Sequence, residues 1–142
     1  MARTRLLLAE DHHEMRAMIV RLLEREFEVV GAVGDGQALL EAESRLKPDV
    51  CVMDISMPIL NGIGAATLLR QNGSIAKIVF LTAHAQEAFL EAALEAGALG
   101  YVLKPRMVSD LELAIRAAMA GRLFISPSLP TASFGTRNGG RS

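Results

Sequence analysis

The sequence predicts one α/β domain built on a mainly parallel β-sheet with helices on both faces. Three observations point there: five short apolar runs, segments of helical period between them, and a length that suits a single core. At 142 residues with 51% hydrophobic side chains, the chain can bury such a core without disulfides or a structural metal. Strand and helix alternate five times, and a strand that returns through a helix to the next strand lies parallel to it.

The elements follow in order. "RLLLA" at 5–9 reads as the first strand, and Met15, Met18, Ile19, Leu22 and Leu23 then form an apolar stripe at i, i+3, i+4, i+7 and i+8, with Arg16, Arg21, Glu24 and Arg25 outside it. "FEVVGAV" at 27–33 is the second strand, followed by a helix over about 36–46. "DVCVMD" at 49–54 is the third, with a helix over about 62–72; "KIVFLT" at 77–82 is the fourth, with a helix over about 86–96 that ends at Gly97. "GYVLK" at 100–104 is the fifth. The last helix carries Leu111, Ala114, Ile115, Ala118 and Met119 on one stripe, opens on a capping box from Ser109 to Glu112 and closes at Gly121. Most of the strands are continuously apolar, as strands covered on both faces are. Residues 126–142, rich in Ser, Pro, Gly, Thr and Asn, have no periodicity. They read as a flexible tail or truncated linker with no output domain, leaving residues 1–125 as the domain.

Composition narrows the function. Fifteen basic and sixteen acidic residues nearly cancel, and no basic, aromatic-interleaved patch stands out, so direct nucleic-acid binding by these residues is not expected. No apolar run approaches the roughly 18 residues of a membrane span. The opening "MARTRLLLAEDHH" holds too short an apolar stretch for a signal peptide, which places the chain in the cytoplasm. Cys51, inside an apolar strand, reads as a small buried hydrophobe rather than a reactive thiol.

In parallel sheets, functional groups gather beyond the carboxyl ends of the strands. Here those positions hold Glu10 and Asp11 after the first strand, Asp54 after the third, Thr82 at the end of the fourth and Lys104 after the fifth. Three carboxylates brought together repel one another unless a cation is present, and a hard divalent ion such as magnesium suits an all-oxygen set. Magnesium that keeps open positions admits phosphate, a lysine and a hydroxyl can hold the remaining phosphoryl oxygens, and Asp54 then stands as the nucleophile. Singly, each residue has a plainer reading: acids at a helix start, a turn aspartate before Pro58, a strand-end threonine, a solvated lysine. Together at one rim they argue for phosphoryl chemistry. His12 and His13 read as solvated rather than metal-binding. Gly34, Gly36, Gly62 and Gly64 read as turn and helix-start residues, because no G-x-G-x-x-G follows the first strand.

The stretches "AEDH", "PDVCVMDISMPILNG", "FLTAH" and "GYVLKP" resemble the receiver domain of bacterial response regulators, over about residues 4–124. The resemblance implies a flavodoxin-like (βα)5 fold with a five-stranded parallel sheet. It implies magnesium held by Glu10, Asp11, Asp54 and the main-chain carbonyl of Ser56, with Asp54 as the phosphoacceptor. Thr82 and Lys104 would bind phosphoryl oxygens, and Tyr101 would be the aromatic switch that turns inward as Thr82 moves. The Lys104–Pro105 bond would be cis.

A sensor histidine kinase or phosphotransfer protein would donate the phosphoryl group, and a homodimer or output partner would meet the surface of about 86–121. Such a chain is a signalling domain, not an ordinary enzyme, although it catalyses its own phosphoryl transfer and loss. Side chains at Ser56 and His84 would border the route of the attacking water. The wording "EDHHEMR", "AGALGYVLK" and "AIRAAMAGRLFISPSL" is most similar to receivers of the NarL/FixJ type, which normally precede a DNA-binding helix-turn-helix; the alternative reading is the receiver part of such a regulator.

Two other classes fit less well. A haloacid-dehalogenase-type phosphatase would carry its nucleophile after the first strand with a second aspartate two residues later, whereas Ser56 follows Asp54 at that spacing. A flavin module would need a phosphate-cradling loop where this chain has acids.

Overall fold

A computed structural model describes residues 3–127. The elements are β1 (Arg5–Ala9), α1 (His13–Leu23), β2 (Glu28–Val33), α2 (Gly36–Leu46), β3 (Val50–Met53), α3 (Gly62–Gln71), β4 (Lys77–Thr82), α4 (Glu87–Glu95), β5 (Gly100–Leu103), α5 (Met107–Met119) and β6 (Phe124–Ile125). All neighbouring strands pair in parallel, in the order β2-β1-β3-β4-β5-β6. The sheet thus holds six strands where five were expected. The extra two-residue β6 is too short to show any periodicity.

Successive strand residues face opposite ways, which divides the core in two. Leu7, Cys51, Met53, Phe80, Tyr101 and Leu103 pack with Leu39 of α2, Ala65 of α3 and Leu90 of α4 on one face. Leu6, Leu8, Val50, Val52, Leu81 and Val102 pack with Ile19 of α1 and Leu111 and Ile115 of α5 on the other. Both faces of the sheet being covered explains why the strands read as unbroken apolar runs. In α1 the predicted stripe buries Ile19 and Leu23 fully, Met15 and Leu22 partly, while Met18 stays 42% exposed. Cys51 is buried, and that burial pushes its thiol up to about 12, so it is inert as a nucleophile at neutral pH.

Helix ends follow local chemistry. The Asp35 and Asn61 side chains accept from Ala38 N and Gly64 N and so open α2 and α3. Gly97 and Gly121, at φ 97° and 76°, stop α4 and α5 just past their last turns. Gly62 answers a separate need: a Cβ there would overlap the Asp54 carbonyl oxygen, so only glycine lets α3 start directly against the backbone of Asp54.

Three expectations change. No cis bond occurs among the described residues, so Lys104–Pro105 is trans; Pro105 lies near the start of a 3-10 turn over Lys104–Arg106, where its fixed φ and missing N–H are tolerated. That turn runs straight into α5 at Met107, so the helix begins before Ser109 and the capping box does not form. The Ser109 hydroxyl instead lies 3.2 Å from Arg106 O and 2.9 Å from Asp110 Oδ1. Of the expected tail at 126–142, residues from 128 on lie outside the described residues, whereas Ser126 is fully buried in the domain. Among the described residues no helix is long and apolar enough to cross a membrane.

Candidate functional site

The chain runs from β1 outward to β2, then back across β1 to β3, so the order reverses between β1 and β3 and leaves a crevice beyond their carboxyl ends. Glu10 and Asp11 follow β1 there and Asp54 follows β3. Parallel pairing of Ala9 with Met53 sets the two acidic segments side by side, and Asp54 N donates to Ala9 O at 3.1 Å. One carboxylate oxygen from each of Glu10, Asp11 and Asp54 lies within 4.8 Å of the others, a set that could hold a metal ion. Glu10 and Asp54 are buried and Asp11 is exposed.

Lys104, from the end of β5, reaches into this cluster. Its Nζ lies 2.8 Å from Glu10 Oε1 and 2.7 Å from Asp54 Oδ2. Burial pulls the Lys104 ammonium down, but its hydrogen bonds to Asp54 and Glu10 and their charges outweigh this and hold it above the ordinary lysine value. The remaining atoms of the two buried carboxylates are also engaged: Ile55 N donates to Asp54 Oδ1 at 2.6 Å, and His12 N donates to Glu10 Oε2 at 3.0 Å.

Thr82 and Tyr101 meet at one residue, His84. Thr82, fully buried, accepts from His84 N at 3.3 Å, and the Tyr101 hydroxyl donates to His84 O at 2.8 Å. Tyr101 is therefore in the inward position, its ring 6.4 Å from that of Phe80. Burial first, and the nearby Asp54 charge second, push its phenol above its usual range. The His84 ring stacks on Phe89 at 4.1 Å and its Nε2 lies 2.6 Å from Ser56 Oγ, so the loops after β3 and β4 are joined across the mouth of the site. Ser56 also borders, with Asp11, Pro58 and Phe89, an open depression beside the acids.

His12 and His13 do not join the cluster. The His12 ring caps α1 by accepting from Met15 N at 3.2 Å, and His13 Nδ1 faces Arg16 Nη2 at 3.3 Å. The residues missed from sequence are Ser126, Asp110 and Arg106, which lie behind Lys104. Arg106 Nε is 2.7 Å from Asp110 Oδ2, and Ser126 Oγ is 2.9 Å from the same oxygen. Their i, i+4 spacing was a usable signal for the Arg106–Asp110 pair; nothing local marks Ser126.

Comparison with known proteins agrees with this layout. The response regulator receiver domain family matches residues 6–116. The chain is 39% identical over 127 residues to the transcriptional regulatory protein YvfU of Bacillus subtilis, covering 88% of this chain and 64% of YvfU, so it spans just under two thirds of that relative's length. A two-component response regulator of the LuxR family from Aurantimonas superposes with a TM-score of 0.89 at 34% identity, covering 96% of this chain and 99% of that one. The isolated receiver domain of RcsB from Salmonella enterica serovar Typhimurium, solved with the phosphomimetic BeF3−, gives 0.82 at 29% identity, covering 89% and 96%. A switch-point crevice lined by acids and closed by a strand-end lysine, in a chain matched over most of its length, leads to one conclusion: this chain belongs to the response regulator receiver domain family.

Proposed function

We propose that Asp54 accepts a phosphoryl group from a sensor histidine kinase or phosphotransfer protein, with magnesium, and that this receiver works as a phosphorylation-dependent switch. The observation that carries the reading is the Lys104 ammonium held between Asp54 and Glu10 in a crevice with a third carboxylate, Asp11. An all-oxygen set of this kind fits magnesium, which would be held by Glu10, Asp11, Asp54 and the carbonyl of Ser56. When bound, the ion neutralises charge that builds on the phosphoryl oxygens.

The chain's own residues do the rest. An Asp54 oxygen attacks phosphorus in line, the bond from phosphorus to the donor nitrogen or oxygen breaks, and that electron pair leaves with the donor. Lys104, already charged and 2.7 Å from Asp54, turns to a phosphoryl oxygen, and the Thr82 hydroxyl takes another. The Thr82 oxygen also accepts from His84 N, and Tyr101 holds the same residue through its carbonyl, so a shift of Thr82 toward the phosphoryl group would pull on His84 and reach the surface of about 86–121, where a second copy or an output partner would dock. Loss of the group is hydrolysis in the same crevice. Nothing in this chemistry calls for nucleic acid or a membrane.

The test is incubation of the full chain with magnesium and acetyl phosphate. One acid-labile phosphoryl group should appear in the protein, and Asp54→Asn should abolish it. Labelling that survives the substitution, or no labelling while magnesium binds, rejects the assignment. Because a relative of greater length is a transcriptional regulator, the second reading is the receiver part of a NarL/FixJ-type DNA-binding protein; a helix-turn-helix encoded downstream in the same gene would establish it.

A further inference from the structure

Residues 124–126 return from α5 and pair along β5, which would otherwise be an edge strand. Ser126, with no exposed surface, ends this return with three hydrogen bonds. Its N–H donates to Tyr101 O at 2.9 Å, its hydroxyl accepts from Leu103 N at 3.1 Å, and that hydroxyl donates to Asp110 Oδ2 at 2.9 Å. Leu103 immediately precedes Lys104. Asp110, 3% exposed, is itself held by Arg106, two residues beyond Lys104. The hydroxyl therefore grips the backbone on one side of Lys104 and, through Asp110, the 3-10 turn on the other.

Only a group that both donates and accepts serves this place. With alanine at 126, Asp110 keeps Arg106 and Ser109, but the Leu103 amide loses its side-chain partner next to the lysine that bridges Asp54 and Glu10.

We propose that Ser126 is a positioning residue for Lys104, and that it couples the docking of residues 124–126 to the state of the Asp54 site. The inference rests on reading Asp54 as the phosphoacceptor. A phosphoryl group on Asp54 obliges the Lys104 ammonium to re-aim, and the backbone from Leu103 to Arg106 transmits that change to the serine bonded on both sides of it. Coupling of this kind is reciprocal: the site alters the hold on 124–126, and that hold alters reactivity at the site.

The test uses the full chain, with acetyl phosphate and magnesium as probes and amide hydrogen exchange as a second readout. Phosphorylation should change exchange at the Leu103 and Ser126 amides by about fivefold or more, the lower end of usual site-to-site coupling, while Val52 in β3 stays unchanged. Ser126→Ala should slow labelling of Asp54 by about the same factor while magnesium affinity stays equal or rises, because a loosened ammonium competes less well for the carboxylates.

Labelling at the original rate in a variant whose Leu103 amide exchanges faster overturns the proposal. So does a parallel fall in magnesium affinity, which marks general disruption. If Ser126→Ala does not fold, the exchange comparison on the unsubstituted chain decides alone, and a smaller change at both amides overturns it. Failure of the unsubstituted chain to label overturns the phosphoacceptor reading as well, and is distinguishable because no phosphorylated state then forms.

Discussion

Replacing Lys104 by methionine keeps most of the unbranched side chain and removes its ammonium, so the loss is chiefly that of the charge. Glu10 and Asp54 are 2% and 6% exposed, and Lys104 is within 2.8 Å of both. Removing one partner of a buried ion pair costs about 3–5 kcal/mol because the other is left as an uncompensated charge. Lys104 is still 18% exposed, so water reaches the cavity it leaves, and the low end, about 3 kcal/mol, applies. With a urea slope of about 2 kcal/mol per molar, the unfolding midpoint of Lys104→Met should fall by about 1.5 M in metal-free buffer.

Magnesium should reverse much of that loss. At about a hundred times its dissociation constant a ligand returns about 2.7 kcal/mol. The unsubstituted protein should gain less at the same magnesium concentration, since there the ion must displace an ammonium already seated on two of its ligands. The assay is urea unfolding of both proteins in chelator and across a magnesium series. A loss under about 1 kcal/mol, the level of an exposed pair, or equal magnesium stabilisation of both proteins, would refute the reasoning.

Three further outcomes are expected. His84→Ala removes the ring that bonds Ser56 and stacks on Phe89, opening the crevice to water, so phosphate loss from the labelled chain should quicken several-fold; an unchanged rate removes His84 from that role. Gly62→Ala forces a methyl against the Asp54 carbonyl and should cost about 1–3 kcal/mol while slowing labelling, read by unfolding and acetyl phosphate incorporation together. Burial raises the Asp110 carboxyl, but bonds from Arg106, Ser126 and Ser109 hold it below the ordinary 3.8, so the folded state binds fewer protons. That stability is present above the unfolded value and is lost as pH falls through it to the folded one. Asp110→Asn should therefore flatten the acid limb of a stability-against-pH curve, and an unaltered limb would sink the assignment.

The sheet was legible from unbroken apolar runs, as strands covered on both faces have, α1 from its apolar stripe and the end of α4 from Gly97. The acids and Lys104 were legible for a different reason. Like charges are tolerated at adjoining strand ends only when something compensates them, so their types announce a site before any geometry is known. His84 was singled out by its place two residues after Thr82, but its backbone link between Thr82 and Tyr101 was not, since a main-chain hydrogen bond leaves no mark on residue type.

The errors cluster between residues 104 and 126, and they share a cause. Ser109 and Glu112 carry the composition of a capping box, yet Pro105 had already turned the chain into helical geometry, and a cap has no function inside a helix that has begun. Ser126 stands at the head of a Ser, Pro and Gly-rich stretch, so its composition says linker. What keeps it in the domain is that three partners, the Tyr101 carbonyl, the Leu103 amide and the Asp110 carboxylate, converge where β5 would otherwise be an open edge. The packed part of the chain therefore includes Ser126, beyond the last periodic residue and directly behind the lysine of the site, because it satisfies buried backbone groups there.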